Sequence, residues 1–183
     1  WVETVKPGIN TVISPASMPH SIKYEQAGFF TVSPITWEKR LVGDETTNPR
    51  PSFVSRQGKK DYRGIKAMAF FRNRLCMLSG DNVVCSRPGD YYNFFNGSAL
   101  TQVDNDPLDI AVGATSSSAN ASLEDAIEVS DGLLVFSANE QHILSTDSEV
   151  FGPRTARFNR VGTYRYSGPE SRTIYRSDGT KYK

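Results

Sequence analysis

The 183-residue sequence has two cysteines, two histidines, almost no surplus of either charge, and no long apolar run. Each shortage removes a class of protein. A membrane span needs about 18 consecutive apolar residues, and nothing here approaches that. Two cysteines cannot build a disulfide framework. His20 and His142 lie far apart, and neither stands at metal-ligand spacing from a cysteine or a carboxylate. No G-x-S-x-G elbow and no G-x-x-x-x-G-K-[ST] phosphate loop occurs. Lysine and arginine total 21 against 20 acidic residues, a net charge of +1. A dedicated nucleic-acid binder carries a basic excess or a clustered stripe. The basic pairs Lys39–Arg40 and Lys59–Lys60 read instead as solvated turn residues. No catalytic, cofactor-binding or metal-binding residue is therefore assigned, no cofactor is expected, and the protein is read as a non-enzyme. Trp1 to Pro7 lack the layout of a signal peptide and an initiating Met, so both ends are read as cut from a longer chain.

What is present points to a folded β protein. The apolar fraction of 38% and charged fraction of 22% are ordinary for a chain with a core, enough for one large domain or two small ones. Strand signals dominate. Gly28 to Val32 is aromatic and β-branched and stops at Pro34. Ser52 to Ser55 alternates polar and apolar. Met68 to Leu78 is rich in Phe, Leu and Met and leads through a turn to Val83-Val84-Cys85. Leu133 to Phe136 is a continuous apolar run, as in a strand buried on both faces. Helix is expected only over Ser118–Ile127, for one or two turns. Gly43–Pro51 and Gly113–Asn120 read as loops. The expected division is a strand-and-loop segment over residues 1–62 leading into a body over 63–183.

A weak repeat runs through that body. Arg74 to Ser79, a turn, and Val83 to Ser86 form one copy. Gly132 to Ser137, a turn, and His142 to Ser145 form another, and Ile174 to Tyr182 a third. Apolar hairpins repeated in this way fit propeller blades or stacked sheets. If Gly80–Asp81 is a two-residue turn, Ser79 pairs with Asn82 and Cys76 stands opposite Cys85, a non-hydrogen-bonded pair in which side chains approach closely. A cross-strand disulfide is conceivable there; two reduced, half-buried thiols are the favoured reading.

Three stretches invite a chemical reading. Asp104-Asn105-Asp106-Pro107-Leu108-Asp109 is the densest carboxylate cluster, but it lacks the glycine and distal Glu of an EF-hand loop. Asx turns before a strand starting near Ile110 explain it better. Ser130-Asp131-Gly132 and Ser177-Asp178-Gly179 are read as turns, because Gly accepts positive φ. Arg87-Pro88-Gly89-Asp90-Tyr91-Tyr92-Asn93-Phe94-Phe95 is a polar turn followed by four aromatics in five residues, read as core rather than as a carbohydrate platform or subunit contact.

Read in order, several segments resemble one family. They are Met18-Pro19-His20, Trp37-Glu38-Lys39-Arg40 leading to Gly43-Asp44, and Thr47-Asn48-Pro49-Arg50-Pro51-Ser52-Phe53-Val54. Phe70-Phe71-Arg72-Asn73-Arg74-Leu75 follows, then Leu78-Ser79-Gly80-Asp81-Asn82-Val83-Val84, Ser86-Arg87 and Tyr92-Asn93-Phe94-Phe95. Asp104 to Asp109 and Leu133-Leu134-Val135-Phe136-Ser137 complete the set. Together they are similar to the tail tubular protein B, or tail nozzle, proteins of short-tailed, podovirus-type bacteriophages. The family usually has Gly where Cys76 stands.

The resemblance implies a mainly β chain, part of a propeller-like body of antiparallel blades with long loops and at most one or two short helices. It implies a structural virion protein of the tail, assembled in the host cytoplasm, whose copies form a sixfold ring below the adaptor (tail tubular protein A) and near the tail fibre proteins. It further implies that genomic DNA passes through the lumen without specific binding. The alternative is a carbohydrate- or receptor-binding, or glycan-cleaving, propeller of a phage tail. Tyr91, Tyr92 and Asp104–Asp109 would then be its working residues, since glycoside cleavage needs two carboxylates at a fixed separation.

Overall fold

The computed structural model describes residues 2–54, 64–112 and 122–163, with the backbone of Ile174–Tyr175 and Lys181–Tyr182. Its regular structure is nearly all antiparallel strand. A hairpin comes first, β1 (His20–Tyr24) with β2 (Phe30–Pro34). Next comes a four-stranded sheet of β3 (Ala67–Phe71), β4 (Arg74–Ser79), β5 (Asn82–Cys85) and β6 (Leu108–Ala111). A second contains β7 (Leu123–Val129), β8 (Gly132–Ser137), β9 (Gln141–Thr146) and β10 (Ala156–Gly162). In both sheets spatial order follows chain order, the meander of a propeller blade. The third expected hairpin is a short pair, β11 (Ile174–Tyr175) with β12 (Lys181–Tyr182). Among the described residues helix is limited to 3-10 turns at Pro15–Ser17 and Gln26–Gly28. The mainly β, blade-like expectation agrees with this architecture.

Packing makes three layers with two cores. Side chains alternate along a strand, so β4 sends Cys76 and Leu78 one way and Leu75 and Met77 the other, and all four are buried. Cys76, Leu78, Val83, Cys85 and Leu108 meet Leu123, Ala126, Leu133, Val135 and Leu144 of the second sheet. On the opposite face, Leu75, Met77 and Val84 are covered by Ile13, Met18, Trp37, Phe53, Phe94 and Phe95 from the loops. The first sheet is thus sandwiched between a loop layer and the second sheet.

Several expectations change. The helix over Ser118–Ile127 is instead strand β7 from Leu123 onward, and residues 118–121 lie outside the described residues. A bulge between Leu123 and Asp125 shifts the register, so Leu123 and Ala126, three apart, both reach the core. That spacing imitates a helical face. Ser52 to Val54 form a turn rather than a strand; Phe53 is a plug buried beneath it, and Ser55 lies outside the described residues. Met68 to Leu78 is broken by a two-residue loop, Arg72–Asn73, with φ of 48° and 59°. Both are positive, as a twisted hairpin turn requires. β2 begins at Phe30 and keeps Pro34 as its last residue. Gly113–Asn120 also lies outside the described residues. The Gly80–Asp81 turn and the pairs Ser79–Asn82 and Cys76–Cys85 form in the expected register. β8 matches its apolar run only in part, with Leu133 and Val135 buried and Leu134 and Phe136 half-buried.

Candidate functional site

The densest polar construction lies where the loops meet both sheets, around Arg74. This residue opens β4 directly after the Arg72–Asn73 turn, and its side chain is buried. One guanidinium nitrogen, Nη1, donates to the carbonyls of Ser86 at 2.8 Å and Asp106 at 2.7 Å. The other, Nη2, donates to Asp104 O at 2.6 Å and Phe151 O at 3.0 Å. The guanidinium also faces the Phe151 ring, 5.8 Å from its centroid. Four carbonyls from three separate segments thus converge on one cation. The five-donor fork suits this role, since a lysine ammonium has only three donors. Burial pulls the Arg74 pKa below its usual value. The β4–β5 ladder adapts to it: the Leu75 amide donates to Ser86 Oγ at 3.0 Å, leaving the Ser86 carbonyl for Arg74. Gly152 completes the fit, because a Cβ there would lie 2.6 Å from the Asp104 carbonyl oxygen.

The carboxylates of the Asp104–Asp109 stretch do not converge. Asp106 is buried and accepts the amides of Gly97 at 3.0 Å and Val103 at 2.9 Å; it caps backbone amides, but of residues that precede it, not of the residue two positions on as in the expected Asx turn. Asp104 accepts Arg154 at 3.1 Å. Asp109 accepts the Ser52 amide at 2.8 Å and Asn82 Nδ2 at 2.6 Å, tying the Ser52 turn to β5. Each closes a different loop. A cleft of about 380 Å³ runs between the Thr46–Pro51 and Ser98–Gln102 loops, with Phe94 and Asp109 in its wall.

The aromatic run divides as its burial dictates. Phe94 and Phe95 are core. Tyr91 stacks edge-on against Phe70 at 5.3 Å and donates to Asn73 Oδ1 at 2.7 Å, and the more exposed Tyr92 meets Trp37 at 5.5 Å. Both tyrosines of the alternative sugar platform are therefore engaged with their own fold. The basic pair Lys39–Arg40 is a partial correction. Lys39 is exposed, but Arg40 is buried, lies 5.3 Å from the Phe95 centroid and reaches Glu45 Oε1 at 2.9 Å. Cation–π contact and a carboxylate make the interior tolerable for its charge. Lys59–Lys60 lies outside the described residues.

Asn48 joins two loops as a strand would, accepting the Asn96 amide at 2.9 Å and donating to Asn96 O at 3.1 Å and Val42 O at 3.0 Å. Cys76 and Cys85 are free thiols, both fully buried, and burial pushes the Cys85 thiol well above its usual pKa. Sequence reasoning placed this pair but expected only half-burial. It missed Arg74 and Arg40 as internal cations; the one available signal was an arginine opening an otherwise apolar strand. His20 Nδ1 lies 3.1 Å from Met18 O. His142 is buried, with Nε2 3.4 Å from Glu140 Oε2, and Arg160 approaches the other Glu140 oxygen at 3.5 Å. Burial lowers the His142 pKa, against the pull of Glu140. Among the described residues no group of three His, Cys, Asp or Glu side chains is placed to hold a metal ion.

The segments that pin the loops — Arg40 to Asp44, Thr47 to Phe53, Phe70 to Leu75 and Asp104 to Asp109 — are those that carried the resemblance. A family model described as bacteriophage nozzle protein matches residues 1–169. The chain belongs to this family. Over 150 residues, 82% of its length, this nozzle-family chain is 35% identical to tail tubular protein gp12 of Escherichia phage T7. It spans 18% of that relative's length. Nozzle-family membership makes it a structural protein of the phage tail.

Proposed function

We propose that this chain is part of the wall of the tail nozzle through which the phage genome is ejected. In this reading copies form a sixfold ring below the tail adaptor and beside the tail fibre proteins, after assembly in the host cytoplasm. Residues 1–62 lead into the body, and 63–183 supply its propeller-like blades. The observation that carries the proposal is the Arg74 clamp. In a nozzle-family chain, the charge that an enzyme would aim at substrate is spent on fastening two sheets and a loop layer into one slab. Asp104, Asp106 and Asp109 are likewise committed to separate loops, which weakens the glycan-cleaving alternative. A net charge of +1 suits a conduit, since strong phosphate attraction would retard passing DNA.

The test is the mass of the protein in solution by light scattering, alone and with its adaptor. A sixfold ring, formed alone or on adding the adaptor, is expected. A stable monomer indifferent to the adaptor would overturn the proposal. A glycan array in parallel addresses the alternative, with Tyr92→Ala, at the more exposed of the two tyrosines, as control.

A further inference from the structure

The β1–β2 hairpin stands apart from both cores. Its register pairs Ile22 with Val32 and Tyr24 with Phe30. Alternation therefore puts these four side chains on one face and Ser21, Lys23, Thr31 and Ser33 on the other. The apolar face is uncovered: Ile22, Tyr24, Phe30 and Val32, with Phe29 at the tip, are each 63–72% exposed. Tyr24 and Phe30 meet edge-on at 5.5 Å, so the face is ordered by its own aromatic pair. Together the five side chains present on the order of 600 Å². That exceeds the few hundred Å² of a typical exposed apolar patch and nears the roughly 800 Å² each partner gives a standard interface. A lone two-stranded hairpin is marginal in water, so this arm gains most from a cover.

A second surface of the same chemistry is partly exposed, although Phe70 meets Tyr91 on one side. Met68 and Phe70 share the outward face of β3, the outer strand of the first sheet, and are 52% and 61% exposed. They continue the apolar row of Met77 and Leu75, their cross-strand partners, beyond the margin of the loop layer. Beside them is a recess of about 300 Å³ lined by Ser17, Pro19 and Ile65 to Met68. The hairpin leaves the body at that recess, and yet its apolar face stays uncovered among the described residues.

We infer that the β1–β2 hairpin is a docking arm whose Ile22–Tyr24–Phe30–Val32 face covers the Met68–Phe70 strip of a second copy of this chain. The two surfaces differ, so the contact is head-to-tail, and each copy both gives and receives an arm. Contacts of that kind close into rings when the rotation allows it. The inference rests on the nozzle reading for its ring and adds the surfaces that make it.

The test mixes two single variants of the protein, Ile22→Cys in one and Phe70→Cys in the other, with a short bismaleimide. Cys76 and Cys85 are buried, so their continued protection reports that the body is folded, and labelling of the unsubstituted protein sets the background against which the new thiols are read. The expected product is a 22-to-70 link between copies, found only in the mixture. In the uncross-linked protein, Tyr24→Ser with Phe30→Ser weakens self-association at least 100-fold without unfolding the body. Failure of folded variants to link, a dominant 22-to-22 product, or a link from 22 to another segment of its own chain would each overturn the inference. A ring that still forms with the serine variant would sink the arm and spare the nozzle reading, whereas absence of any ring in the unmodified protein, alone and with the adaptor, would sink both.

Discussion

Replacing Arg74 with methionine removes the cation from beneath four carbonyls while nearly keeping the volume of its stem. Four hydrogen bonds to a charged donor, at about 1.5–3 kcal/mol each, set a ceiling of roughly 6–12 kcal/mol. The guanidinium's own desolvation offsets much of that, and water entering the gap solvates some of the released carbonyls. Removing one partner from a buried charged network costs about 3–5 kcal/mol, and Arg74 fits that class. A loss of about 4 kcal/mol is expected, close to a thousandfold in the folding constant. With a urea m-value of about 2 kcal/mol/M the midpoint falls by roughly 2 M. Arg74→Lys keeps the charge but cannot span all four acceptors, so it recovers only part of the loss. Arg154→Met is the control: it breaks an exposed contact to Asp104 and changes stability by no more than about 0.5 kcal/mol. An Arg74→Met variant within about 1 kcal/mol of the parent, at unchanged m, would refute the clamp.

Three further outcomes follow from particular contacts. Gly132→Ala forces a Cβ to 2.4 Å from the Leu144 carbonyl oxygen at a φ of 153°, and a loss of about 2–3 kcal/mol in urea titration is expected. His142 is held neutral by burial, with a folded pKa below the ordinary 6.5, so its contribution is complete above pH 6.5 and disappears as pH falls through the folded value. The urea midpoint should therefore decline below about pH 6.5, and His142→Phe should flatten that first decline; an unchanged profile would remove His142 as its cause. Cys76 and Cys85 should ignore a thiol reagent in the native protein and both react after denaturation; absence of free thiol in the denatured, unreduced protein would show a disulfide instead.

The sequence made the blades legible because their signals are local. Gly80–Asp81 and Ser130–Asp131 mark turns between apolar runs, and register follows from turn length, which is why Cys76 could be set opposite Cys85. The misplaced helix had a different origin. A bulge is invisible in a pattern of residue types, so Leu123 and Ala126 at three-residue spacing mimic helix until the extra residue is seen. The Arg72–Asn73 turn lacks glycine and was absorbed into one long strand. Arg40 and Arg74 were hidden for a tertiary reason: nothing near either residue in the chain announces that carbonyls, a carboxylate or an aromatic ring will be brought to it. The Asp104–Asp109 stretch holds its loops as the sequence suggests, but not by Asx turns: Asp106 caps the upstream amides of Gly97 and Val103, and Asp109 reaches Ser52 and Asn82, partners that only the fold supplies.

The most direct test of the nozzle account is cryo-electron microscopy of the intact virion tail, with this fold fitted to the density. The account predicts the stacked meanders, joined at Arg74, in six copies around an open channel. Density around that channel that admits these sheets nowhere, or places them only on a peripheral fibre, would contradict it.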